Sequence, residues 1–244
     1  MPKSIEFIGT MVLTGGADLE TQFKAIDFPV KRYCIIDNSC GNRDVQNAID
    51  HLYSRPSPYV DQLVVIHNAF NAGFSGSINQ LIKQNPTLPY WCFLCVDWHP
   101  LPGQLKLLAE RLEQPFHGLL CDATMHGYSA MVWTPELIQK VGLMDENFYP
   151  AYYEDNDHRY RMKLMGLDWQ YCVLKSRHEA SSTLHSSTRF IERNRVTFPL
   201  NFEYYQKKWG GPPGKEQYNS PFNTYASVDY WPYDPTRIAK QQWT

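Results

Sequence analysis

Residues 152–161 read Tyr-Tyr-Glu-Asp-Asn-Asp-His-Arg-Tyr-Arg and carry three carboxylates, Glu154, Asp155 and Asp157, within four positions. An aromatic loop, residues 147–153, precedes them. A helical run follows to Leu164, and Gly166 supplies the stop that left-handed backbone gives. The spacing therefore predicts all three carboxylates in the first turn of a helix. There the helix dipole favours the ionised form, and an ionised carboxylate beside a cleft can accept a proton. Acidic residues also suit helix N-termini for the dipole alone, so the local pattern by itself leaves capping and chemistry both open.

Other residues could complete such a site. Asp97 ends an apolar run and is followed by Trp98-His99-Pro100. A carboxylate at that place can hold a hard divalent cation against phosphate oxygens, or simply cap the loop. His178 follows another strand-like run and can add a nitrogen to a Mn²⁺ site, with His185 as the competing histidine. Asp37 can accept hydrogen bonds from a base or ribose. Asn71 and Asn79 carry the donor and acceptor pairs that read a base edge, and equally those that cap helices and close loops.

The elements that must position these residues alternate along the chain. Strand-like runs at 5–13, 32–36, 62–66, 90–96 and 118–121 are separated by helical patterns at 44–53, 75–83 and 105–112, with a turn into a further helix at 14–18. Short apolar runs between helices predict an α/β protein with a mostly parallel, Rossmann-like central sheet covered on both faces. Ligands of such sheets lie outside the carboxyl ends of the strands. The polar clusters 37–39, 68–73 and 97–99 fall at those ends. Beyond them come a strand at 130–133, a helix at 135–141 ended by Gly142, the acidic helix, and a strand at 168–174.

From Phe198 the composition changes. Prolines at 199, 212, 213, 221, 232 and 235 accompany many Tyr and Trp, and residues 207–215 form a turn-rich basic stretch. This segment is expected to be an irregular extension of the same domain, outside the regular core, that wraps the domain, covers the site or joins a partner. The chain of 244 residues suits one domain with such an appendage: 1–197, divided into a nucleotide-binding half at 1–100 and a catalytic half at 101–197, and then 198–244.

Bulk properties narrow the classes. A formal net charge of -2 gives no global case for a nucleic-acid partner. No apolar run approaches the roughly 20 residues of a membrane span, and the N-terminus has no secretory h-region, so a cytoplasmic location is the expectation. Of the six cysteines, Cys92 and Cys95 make a nominal C-x-x-C. It lies inside a buried-strand pattern, where residues three apart face opposite ways, so reduced buried thiols are expected instead of zinc.

In their order, these motifs resemble the family 2 nucleotide-sugar glycosyltransferases of the GT-A fold. The resemblance rests on Asp37-Asn-Ser-Cys40, Asn71-Ala-Gly73 with Asn79, the strand ending at Asp97, Gly142-Leu-Met-Asp-Glu-Asn-Phe148, Glu154-Asp-Asn-Asp157 leading to Arg161 and Gly166, and His178. It covers residues 5–185. It implies an inverting transfer from a nucleotide-diphosphate sugar, UDP by family default, to an acceptor hydroxyl on a glycan or glycoconjugate. Asp155 would be the base, with Glu154 and Asp157 positioning the acceptor or supporting the helix start. Asp37, Asn71, Gly73, Asn79 and Thr10 would hold the nucleotide. Asp97 and His178 would hold Mn²⁺ or Mg²⁺. The family's Asp-x-Asp reads Cys95-Val-Asp97 here, so its first Asp is missing, with His99 or His178 as the residue to compensate.

Two other functions share this fold region. A sugar nucleotidyltransferase would need a Gly-rich, Arg-containing loop after the first strand, whereas residues 14–20 are acidic and lack Arg. A non-catalytic sugar- or nucleotide-binding module would not need both Asp97 and Asp155. A homodimer is left open.

Overall fold

The structure is a computed structural model that describes residues 3–122, 127–178, 182–224, 234 and 236–240. Residues 179–181 and most of the Pro- and aromatic-rich segment beyond residue 224, with Pro232 and Pro235, lie outside the described residues.

The first half alternates as its pattern requires: β1 (Ile8–Val12), α1 (Gly16–Lys24), β2 (Val30–Asp37), α2 (Arg43–Ser54), β3 (Val60–His67), α3 (Gly73–Gln84) and β4 (Trp91–Leu94). A short β5 (Trp98–Pro100), α4 (Gln104–Leu112), β6 (Gly118–Asp122) and β7 (Ala130–Trp133) follow, then α5 (Pro135–Val141), α6 (Glu154–Leu164) and β8 (Gln170–Leu174). The described chain closes with β9 (Ser176–His178), α7 (Ser182–His185) and α8 (Thr188–Trp209).

Seven strands form one sheet in the order β3-β2-β1-β4-β7-β6-β8. Pairing is parallel except at β7, which runs antiparallel to β4 and β6. The period-2 alternation sends neighbouring residues to opposite faces. In β2, Tyr33 and Ile35 join the core on one face, and Cys34 and Ile36 the core on the other. In β7, Ala130 and Val132 divide from Met131 and Trp133 in the same way. Residues of α1, α2 and α4 cover the first face, and residues of α3, α5 and α6 the second. The chain therefore has an α/β fold with a mostly parallel central sheet and helices on both faces. All six cysteines are free thiols.

Local chemistry sets several boundaries. Asn42 caps α2 by accepting from the Asp44 amide at 3.0 Å, and Thr134 caps α5 by accepting from the Leu137 amide at 3.2 Å. Gly166, at φ 68°, ends α6 where a side chain would be strained.

Two features depart from the sequence pattern. The run expected as one strand at 90–96 stops at Leu94, and β5 turns away to pair antiparallel with β9 in a separate two-stranded sheet. The segment expected to be irregular from Phe198 is instead helical through Trp209, with Pro199 inside α8. Proline removes one backbone donor and crowds the preceding turn, which predicts a break. Tertiary contacts on both sides hold the helix across it: Tyr205, Lys208 and Trp209 are fully buried, and Phe148, Tyr160, Tyr205 and Trp209 form a third apolar cluster. Among the described residues no helix is long and apolar enough to cross a membrane.

Candidate active site

A cavity of about 410 Å³ opens at the carboxyl ends of β1, β2 and β4. Asn38, Asn71, Gly73, Asp97 and His178 line it. Glu154 and Asp155 line it as well, and Tyr128 and Tyr152 add aromatic surface. Six of the residues singled out in the sequence are thus brought together. Thr10, Asp37, Asn79 and Asp157 are not among the residues lining the cavity.

The acidic helix begins as its sequence predicts, with Glu154, Asp155 and Asp157 in its first turn. Its entry is unusual. Tyr152 and Tyr153 both have positive φ, 78° and 71°, which is costly for aromatic residues. The strain is held from α8. Asn201 Nδ2 donates to the carbonyls of Ala151 at 2.9 Å, Tyr149 at 3.2 Å and Tyr152 at 3.3 Å. The Tyr152 and Tyr153 rings pack on Phe198 at 5.5 and 5.0 Å. Gly73 receives the other side of this loop. A Cβ there would lie 2.8 Å from the Pro150 carbonyl oxygen, and its φ of 73° also requires glycine.

The three carboxylates then part company. Burial pushes the Glu154 carboxyl well above the usual carboxylate range, and the nearby Asp155 charge adds to this. Its Oε2 has no hydrogen-bond partner among the described residues. Burial also pushes Asp155 up, although the Asn156 amide donates to Oδ1 at 2.8 Å and the Arg159 charge opposes the shift. A carboxylate raised in this way and facing a cavity is a stronger base than one in water. Asp157 points elsewhere. It is fully buried, 2.9 Å from Arg161 Nε and 2.6 Å from Lys208 Nζ, and accepts from Trp209 Nε1 at 2.9 Å. Burial would raise its carboxyl, but the Lys208 and Arg161 charges outweigh that and hold it below the usual value. Its place in this network makes it the support of the helix start and takes it away from an acceptor.

On the nucleotide side, Asp37 accepts from the Ser39 amide at 2.8 Å and Gln46 Nε2 at 2.7 Å, and lies 2.7 Å from His67 Nδ1. It anchors the turn after β2. Asn79 donates to the Met144 carbonyl at 2.9 Å and accepts from the Met144 amide at 2.9 Å, so its amide reads protein backbone where a base edge had been expected. Thr10 is buried within β1. Asn71 Oδ1 accepts from the Gly73 amide at 2.9 Å and fixes the start of α3 at the cavity wall.

Asp97 and His178 meet because β5 and β9 pair with Trp98 opposite His178. His178 Nε2 lies 3.8 Å from Asp97 Oδ1, and Asp97 Oδ2 accepts from the Ser182 amide at 3.2 Å. His99 stands apart, with Nε2 3.0 Å from the Val96 carbonyl oxygen, and does not join them. Sequence reasoning missed three contributors. Asp122 ends β6 and lies 3.0 Å from His178 Nδ1. It carries the same strand-end signal as Asp37 and Asp97, one residue beyond the run at 118–121. Arg193 and Asn194 line the cavity from α8, in a helix that Pro199 had concealed.

No protein-family model and no curated protein sequence matches this chain. Solved structures do. A mannosyltransferase from Pyrobaculum calidifontis, solved with GDP-Man and Mn²⁺, aligns with 87% of this chain and 66% of its own, at 11% identity and a TM-score of 0.59. GalNAc-T7, solved with UDP, GalNAc and Mn²⁺, aligns with 86% of this chain and 52% of its own, at 10% identity and a TM-score of 0.55. S. aureus TarS aligns with 79% of this chain and 39% of its own, at 14% identity and a TM-score of 0.52. This chain thus spans less than two thirds of the length of each. At such identities the likeness is one of fold, and the fold is that of the GT-A glycosyltransferases.

Proposed function

We propose that the chain transfers a sugar from a nucleotide-diphosphate sugar to an acceptor hydroxyl with inversion. The observation that carries this reading is the cavity at the strand ends, lined by Asp97, His178 and the raised Asp155 carboxyl together. Asp155 takes the proton of the acceptor hydroxyl as that oxygen attacks the anomeric carbon from the face opposite the diphosphate. Burial pushes Glu154 well above and Asp155 above the usual carboxylate range, so both are drawn toward holding a proton. Asn71 and Gly73 border the nucleotide end. Arg193 brings a guanidinium to the same cavity, and its planar donors suit a diphosphate.

The donor set fits a hard divalent cation, Mn²⁺ or Mg²⁺. His178 Nε2 and Asp97 Oδ1, 3.8 Å apart, would be the nitrogen and oxygen donors that such a cation takes. Among the described residues no group of three or more His, Cys, Asp or Glu could hold a metal by itself. Asp97 and His178 would supply protein donors, and phosphate and water oxygens the rest. When bound, the cation neutralises charge on the leaving diphosphate. His178, with Nε2 3.8 Å from Asp97 Oδ1, would supply the second protein donor where the family pattern has its first Asp.

The test is release of nucleoside diphosphate from a panel of UDP-, GDP-, CDP- and dTDP-sugars with Mn²⁺, with and without glycan acceptors. Release that depends on Asp155 supports the transferase. Binding of a nucleotide sugar without release under any condition would favour a non-catalytic binding module.

A further inference from the structure

Asp122 takes no part in the reaction proposed above, yet it lies behind His178, a residue of the cavity lining, and is 2% exposed at the end of β6. Its Oδ2 lies 3.0 Å from His178 Nδ1. The other ring nitrogen, Nε2, faces Asp97 Oδ1 at 3.8 Å. Three separate elements therefore converge in a row: the end of β6, β9, and the loop between β4 and β5. The β5–β9 pairing fixes the backbone of His178 beside Trp98, the residue after Asp97.

A neutral imidazole has one N–H and one lone pair. A carboxylate beside Nδ1 draws the N–H to that side and leaves the lone pair on Nε2. Nε2 then looks toward a carboxylate oxygen, acceptor against acceptor, at a separation too long for a hydrogen bond. Such a pair of acceptors at a cavity wall is completed by a cation placed between them. Histidines that bind metals are commonly oriented by a carboxylate at the far ring nitrogen, and loss of that carboxylate weakens metal binding.

We propose that Asp122 is a positioning residue that fixes His178 with its proton on Nδ1 and so aims Nε2, together with Asp97, at a divalent cation. This inference rests on the metal-assisted reading above. It explains how a chain with one carboxylate at the end of this strand keeps a second donor in place.

The tautomer is read first, in the wild-type protein without metal, by ¹⁵N–¹H correlation of the histidine rings. The expected result is a neutral His178 with its proton on Nδ1; a proton on Nε2 overturns the proposal. Mn²⁺ binding is then followed by electron paramagnetic resonance with UDP or GDP present. Asp122→Asn is expected to weaken Mn²⁺ about 10–100-fold and to reduce the imidazole nitrogen coupling. His178→Ala should lose the same amount, and the double variant no more than either single one. If Asp97→Asn and His178→Ala weaken Mn²⁺ while Asp122→Asn leaves affinity and coupling unchanged, the Asp122 inference fails and the metal-assisted reading stands. If the wild-type protein binds no Mn²⁺ with either nucleotide, the metal site fails and this inference with it.

Discussion

The two ends of the first turn of α6 hold the same kind of residue in opposite conditions. Asp157 is enclosed with Asp145, Lys208 and Arg161, two acids against two bases, all fully or almost fully buried. Tyr204 adds a hydrogen bond to Asp145 at 2.9 Å, and Trp209 one to Asp157. Glu154 and Asp155 line the cavity, and their carboxyls are pushed up where that of Asp157 is pushed down. A buried charge needs compensation. Where the fold supplies cations, the carboxylate becomes structure. Where burial outweighs the charges nearby, the carboxylate becomes a group that wants a proton. The cationic side also locates the basic side, because Lys208 and Asn201 lie on the same helix and hold both the acidic helix and the loop that enters it.

The largest expected effect is at Asp155. Asp155→Asn should lower turnover about 10²–10⁴-fold while donor binding is retained, measured as single-turnover diphosphate release beside nucleotide titration. Unchanged turnover would remove Asp155 from the role of base. Next comes Lys208→Met, which leaves two buried carboxylates without their shared cation. It should cost about 3–5 kcal/mol in urea unfolding, and a loss below about 1 kcal/mol would show that the network is not enclosed as described.

A smaller pair of variants sets the two ends against each other. Asp157→Asn should destabilise by about 1–3 kcal/mol, because it strips charge from the partner of Lys208 and Arg161. Glu154→Gln should cost far less, since burial already disfavours the charged form of the native group. Equal costs at the two positions would erase the distinction.

The finest test is pH. Asp157 has a depressed carboxyl, so its contribution to stability is present above its unfolded value of about 3.9 and is lost as pH falls through its folded value. Glu154 is raised. Its burial costs nothing below its unfolded value of about 4.3 and costs stability progressively as pH rises toward its folded value. Urea midpoints across pH should therefore show a shallower acid limb in Asp157→Asn and a shallower loss on the neutral side in Glu154→Gln. Turnover should rise with pH through a carboxyl group titrating above about 3.9, as Asp155 ionises. A turnover profile that is flat from pH 4 to 7 would refute that assignment.

Much of the frame was legible in the residues. The runs at 32–36 and 62–66 lie inside β2 and β3, and the acidic helix starts and stops where its carboxylates and Gly166 require. These features depend on local backbone preference and on a period of two or 3.6, which the chain carries in itself. The β5–β9 pairing was not legible, because two three-residue strands about 80 positions apart have no period to detect. Helix α8 was hidden by Pro199, whose local penalty is real but smaller than the burial of Tyr205 and Trp209 that offsets it. Asn79 shows the limit for single side chains. Its amide suits a base edge and a peptide backbone equally, and only the approach of Met144 decided between them.

By itself the sequence determined the alternation of strands and helices in the first half and the placing of three carboxylates at one helix start. Tertiary structure alone decided which of them is charged, paired or basic. Lys208 and Trp209 come from about 50 residues further along the chain, and Asp122 reaches His178 across about the same span. Propensity acts between neighbours in sequence. The free energy of a proton on a carboxyl group depends on charges, dipoles and excluded water that are neighbours only in space.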